Sequence, residues 1–82
     1  LCLSKSLDFA KQKIKQGVIS STQLRSSIRN IISAESGTQI EYISICDPES
    51  LEEKMEVKGR TLIALAVKIG PARLIDNCIV EG

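Results

Sequence analysis

The stretch RTLIALAVKIGPARLIDN, residues 60–77, decides how this chain folds. Residues 61–69 are apolar almost without interruption, and only Lys68 breaks the run near its end. The run is far shorter than the ~20 residues a membrane helix needs. It reads instead as a strand buried on both faces. Gly70-Pro71-Ala72 follows: glycine supplies unusual backbone angles and proline pre-sets its own φ, so a turn is expected there. Residues 73–79 form a second strand-like run, and the two runs together predict a β-hairpin. Everything upstream must cover that hairpin or pair with it.

Immediately upstream, residues 39–46 alternate as a further strand, with Ile43 and Ile45 on one face and Ile40, Tyr42 and Ser44 on the other. Asp47-Pro48-Glu49-Ser50 predicts a capped single turn. Asp47 is the cap, and Pro48 occupies the first helical position, where a missing N–H costs nothing. Residues 52–58 read as a charged, mobile loop. Before the strands lie two amphipathic helices. Leu3, Leu7, Ala10 and Ile14 line one face of the first, over residues 1–16, with Gly17 as its stop. Ser20 and Gln23 form a capping box for the second, with Ile19 and Leu24 at the staple positions. Leu24, Ile28, Ile31 and Ile32 are its buried stripe, and it ends near Glu35.

The predicted fold is therefore α+β: two helices packed on one face of a three-stranded antiparallel sheet, in the order α-α-β-β-β, with the apolar run 61–69 in the middle. Ile63, Leu65, Val67 and Ile69 face the helices. Leu62, Ala64, Ala66 and Lys68 share the other face, which a two-layer domain leaves open. A loop, an upstream domain or a second chain is expected to cover it.

Composition narrows the function. The chain has 82 residues, enough for one small domain. Phe9 and Tyr42 are its only aromatic residues, which argues against a ring-lined pocket or a base-stacking platform. A net charge of +1 gives no field directed at nucleic acid. Basic residues concentrate in the helices (Lys5, Lys11, Lys13, Lys15, Arg25, Arg29) and acidic ones in residues 31–59, a pattern read as solvated faces. Cys2, Cys46 and Cys78 are odd in number with no close pair, and histidine is absent. No zinc site, disulfide framework or Ser-His arrangement is supported, and a reducing compartment fits.

Two constellations remain. Asp47 and Asp76 stand near strand ends and are the only candidates for an acid/base pair; each also has a structural use, Asp47 as a cap and Asp76 bonding local backbone. Arg60 and Arg73 flank the hairpin strands, where a guanidinium can clamp a carboxylate or phosphate or form an ordinary salt bridge. The five glycines stand at element boundaries or the chain end, and none builds a phosphate cradle.

Arg73-Leu74-Ile75-Asp76-Asn77, after an apolar strand and a glycine turn, resembles the C-terminal end of the pantothenate synthetases, the pantoate–β-alanine ligases. Ile40 through Asp47 (IEYISICD) with Pro48-Glu49-Ser50-Leu51-Glu52 resembles the preceding strand and turn of that family. The resemblance covers essentially the whole chain. It implies a parent enzyme that uses ATP and Mg²⁺ to adenylate pantoate and then joins it to β-alanine, giving pantothenate for the coenzyme A pathway. It also implies a cytoplasmic parent, a homodimer, with no nucleic-acid or membrane partner. The family's nucleotide-binding domain carries a His-x-Gly-His type motif, which this chain lacks. Ser26-Ser27-Ile28-Arg29-Asn30 is superficially similar to a second family signature but sits inside the second helix, so no role is transferred to it.

On this reading residues 1–82 are the C-terminal lid of a larger ligase, without its N-terminal nucleotide-binding domain. The only methionine is Met55 and Leu1 already belongs to a helical pattern, so a piece of a longer protein is expected. No catalytic, cofactor-binding or metal-binding residue is assigned, and the chain alone is expected to be inactive. The alternatives are a non-catalytic interaction module using its open sheet face and a nucleic-acid binder using its basic helices.

Overall fold

The structure, a computed structural model, describes residues 2–81, with side chains from Leu3 onward. Leu1, Gly82 and the side chain of Cys2, to which the sequence reading gave places, lie outside the described residues. Two helices, α1 (Cys2–Lys15) and α2 (Ser21–Ser33), precede three strands, β1 (Thr38–Cys46), β2 (Arg60–Ile69) and β3 (Ala72–Glu81). The strands form one antiparallel sheet in the order β1-β2-β3, so the apolar run is central as expected.

Helix α1 buries Leu3, Leu7 and Ala10. Ser6 shares that buried face at no polar cost, because its hydroxyl donates to the Leu3 carbonyl at 2.8 Å. The helix stops at Gly17, whose φ of 98° lies in the left-handed region. Val18 N–H donates to Lys13 O and Gly17 N–H to Ile14 O, the paired bonds of a Schellman stop. Helix α2 starts at Ser20, which has extended backbone angles and accepts from Gln23 N–H. Leu24, Ile28 and Ile32 of α2 are buried. Ile19, the expected staple partner of Leu24, is exposed instead, and its backbone carbonyl accepts from Val57 N–H at 2.7 Å.

The hairpin between β2 and β3 is tighter than the sequence suggests. Ile69 pairs with Ala72, leaving only Gly70-Pro71 as the loop. Gly70 has φ of 57°, and proline is confined to negative φ, so the pair fits a type II′ turn. Strand β1 departs from simple alternation. Its register with β2 shifts between Ile40 and Tyr42, leaving Glu41 as the extra residue of a β-bulge. Ile40 pairs with Val67, Ile43 with Leu65 and Ile45 with Ile63, so Ile40 joins the core side rather than sharing a face with Tyr42 and Ser44.

Between helices and sheet sits one core, in which Leu24, Ile28, Ile32, Ile45, Ile63, Leu65 and Val67 are 1% exposed or less. Val57 belongs to it too, at 0% exposure. The segment 52–58 is therefore an anchored strap rather than a mobile loop. Asp47 N–H donates to Glu52 O and Lys54 N–H to Ile45 O, which extends pairing along the free edge of β1. Ser21 N–H donates to Met55 O, and the Ser21 hydroxyl donates to Lys54 O.

Candidate functional site

Asp47 and Asp76 are not brought together. Asp47 Oδ1 accepts from Glu49 N–H at 2.9 Å and Ser50 N–H at 3.0 Å, closing the expected turn. These backbone donors, Ser50's first, hold its carboxyl below the ordinary value. Leu51 ends the turn with φ of 61°. Asp76 lies on the opposite outer strand, paired with Leu65, and its Oδ1 accepts from Asn77 N–H at 2.8 Å. Two strand spacings and about four residues of rise separate the carboxylates, on the order of 15 Å. Both take the structural role, not that of an acid/base pair.

The two arginines also part. Arg73 pairs with Glu41, the bulge residue two strands away, and that hydrogen bond raises its already high pKa. Arg60 sits at the other end of the sheet, opposite Glu81, whereas Arg73 is opposite Lys68. They cannot grip one ligand. Cys46 is buried. Cys78 is half-buried beneath α1, and burial pushes its thiol up, which makes it a poor nucleophile at neutral pH. Among the described residues no cluster of three or more Cys, Asp, Glu or His side chains is placed to hold a metal ion.

One polar network escaped the sequence reading. Arg25 Nε donates to Ile43 O at 3.2 Å, and its terminal nitrogen pairs with Glu53 Oε2 at 3.1 Å. Glu53 accepts in turn from Ser44 Oγ and Ile45 N–H, each at 3.2 Å. Lys54 Nζ donates to Lys58 O, Arg60 O and Thr61 Oγ1. These contacts fasten the strap over the β1 edge. The only sequence signal was Val57, one of two apolar residues, with Met55, inside a charged run.

What the fold leaves open is the sheet face away from the helices. Cross-strand rows place Tyr42, Ala66 and Ile75 side by side, then Ser44, Ala64 and Asn77, then Cys46, Leu62 and Ile79. Tyr42 is 42% exposed, Ile75 56% and Ile79 47%. In the middle of the face Ala64 is partly buried and Ala66 fully buried, with the Arg73–Glu41 pair reaching across β2. Arg60 and Lys68 stand at the two ends of that strand, exposed, on the same side by alternation. Neither has an ion-pair partner among the described residues.

Fold and face together define a small α+β domain, with helices on one side of its sheet and, on the other, a mixed face on which Tyr42, Ile75 and Ile79 are about half exposed. The family model for pantoate-beta-alanine ligase matches residues 1–79, and the chain belongs to that family. It is 46% identical over 79 residues to a pantothenate synthetase of Acetivibrio thermocellus, covering 96% of this chain and 28% of that protein. It is 41% identical over 80 residues to one of Geobacter sulfurreducens, covering 98% of this chain and again 28% of the relative. A crystal structure of pantothenate synthetase from Thermus thermophilus superposes with a TM-score of 0.88 at 22% identity, over 99% of this chain and 29% of that one, and shows the same fold. The chain thus spans little more than a quarter of the length of the relatives it matches.

Proposed function

We propose that this chain is the lid domain of an ATP-dependent pantoate–β-alanine ligase, closing over a nucleotide site built by another part of the same polypeptide. In that reaction a pantoate carboxylate oxygen attacks the α-phosphorus of ATP and pyrophosphate leaves. The β-alanine amine then attacks the acyl carbon of pantoyl adenylate and AMP leaves, giving pantothenate. Mg²⁺ belongs with the triphosphate, and the whole ligase is cytoplasmic and dimeric on this reading. The lid's contribution is to exclude water from the acyl adenylate, which hydrolysis would waste, and to complete a site whose charged groups come from elsewhere.

The observation that carries this reading is a mismatch of extents. The likeness to the ligases runs over 96% of this chain but 28% of the relative. Within the matched part, Asp47, Asp76, Arg60 and Arg73 serve caps, pairs and edges rather than one reacting centre. Adenylation needs donors fixed around a leaving pyrophosphate, and such donors belong to the remaining chain.

The test is a pyrophosphate-release assay on this domain, on the rest of the ligase, and on the two joined. Turnover is expected only from the joined protein. Turnover by this domain alone, or full activity without it, rejects the lid reading.

A further inference from the structure

We propose that oxygens of Lys58, Arg60 and Thr61 form a monovalent-cation site which the ammonium of Lys54 fills, so that the strap 52–58 is latched to the start of β2 by a cation carried on the strap itself. Once that side chain is shortened to a neutral one, the site takes up free ammonium. The inference is independent of the lid reading above.

A lysine ammonium has three N–H donors and no acceptor. Lys54 Nζ has one oxygen for each donor: Lys58 O at 2.6 Å, Arg60 O at 3.0 Å and Thr61 Oγ1 at 3.0 Å. All three are neutral oxygens. Among the described residues no carboxylate forms an ion pair with Lys54, although its charge helps to hold the Asp47 carboxyl down after the Ser50 and Glu49 amides. Carbonyl and hydroxyl oxygens converging on one point are the ligand set that suits a hard cation. An ordinary surface lysine reaches for a carboxylate or for water instead.

Two features hold these oxygens in place. Gly59, with φ of 68°, turns the chain so that the carbonyls on either side of it both reach Nζ. Thr61 is fully buried, and its hydroxyl donates to Gly59 O at 3.4 Å, which leaves its lone pairs for Nζ. The Lys54 backbone is fixed separately, since its N–H donates to Ile45 O at 2.9 Å. Backbone and ammonium of one residue therefore hold different strands, β1 and β2. Removing the ammonium leaves the β1 bonds in place and takes the partner from three oxygens, and a free cation of the same size and donor pattern can replace it.

The experiment uses the full-length ligase that carries this chain and reads hydrogen exchange at the Val57 and Lys58 amides, which donate to Ile19 O and Glu56 O. Lys54→Met keeps an apolar stem without the charge, and exchange at both amides should quicken several-fold. Ammonium chloride should slow it back towards the parent rate in a saturable way. Tetramethylammonium chloride at the same ionic strength is larger and has no N–H donor, so it should not. The parent, whose site is filled, should respond to neither salt. Adding Thr61→Val removes one acceptor and should abolish the rescue. Equal responses of Lys54→Met to the two salts, a rescue that survives Thr61→Val, or parent-like exchange in Lys54→Met overturns the proposal. Should Lys54→Met fail to fold in plain buffer, recovery of its circular dichroism becomes the readout. Recovery in ammonium alone supports the site, and recovery in both salts or in neither overturns it.

Discussion

Leu65 sits at the centre of β2, paired with Ile43 on one side and Asp76 on the other, and has no exposed surface. Truncating it leaves a cavity that strands on both sides prevent from collapsing. Leu65→Ala should cost about 2–5 kcal/mol in a urea or thermal melt. Lys13→Ala removes an ammonium lying 5.2 Å from the Phe9 ring centroid and should cost less than about 1 kcal/mol. Equal effects would mean that the inward face of β2 has been misassigned. Asp47 gives a pH signature. Its folded pKa is depressed by the Ser50 and Glu49 amides, so its stabilisation is present above the unfolded value of about 3.9 and is lost as pH falls through the folded value. The melting temperature should fall below about pH 4, and Asp47→Asn, which cannot titrate, should lose that part of the fall. Identical pH profiles for the two proteins would assign the acid sensitivity to other carboxylates.

At the scale of elements, the strap 52–58 joins parts of the chain that are distant in sequence. Its backbone pairs with β1 through Lys54 and with the entry to α2 through Met55 and Val57, and the Arg25–Glu53 pair adds a side-chain tie. That ion pair is largely exposed, so by itself it contributes no more than about 1 kcal/mol. The buried Val57 holds the strap more firmly. Val57→Ala should destabilise the domain by on the order of 2 kcal/mol, combining lost burial and a residual cavity. It should also speed hydrogen exchange at Lys54 and Val57 more than in β2. Unchanged exchange at those amides would show that the ion pair, not Val57, pins the segment. The reading of residues 52–58 as mobile weighed their charge; the physical correction is that main-chain hydrogen bonds, the Glu53 carboxylate on the β1 edge and the buried Val57 together hold this segment.

For the whole molecule, the two sides of the sheet carry different burdens. The helix side supplies the core, whereas Ile75 and Ile79 on the other side remain about half exposed. The domain carrying Ile75→Ser and Ile79→Ser should therefore remain folded and melt no more than about 10 °C below the parent, each change costing about 0.5 kcal/mol or a little more. A large loss of stability in that double variant would mean the face is needed for folding rather than left for a partner. The α-α-β-β-β order, the central place of residues 61–69 and the stop at Gly17 were all legible in the sequence. They depend on local rules: hydrophobic period, strand and turn preferences, and the left-handed freedom of glycine. Other structural details were not legible. Nothing in residues 39–46 announces that Glu41 bulges and carries Ile40 to the core side, because a bulge is set by the partner strand's register. Nor could the sequence part Asp47 from Asp76, or join Arg73 to Glu41 across β2. Those are distances between residues on different strands, and pairing them in space is what only the tertiary structure decided.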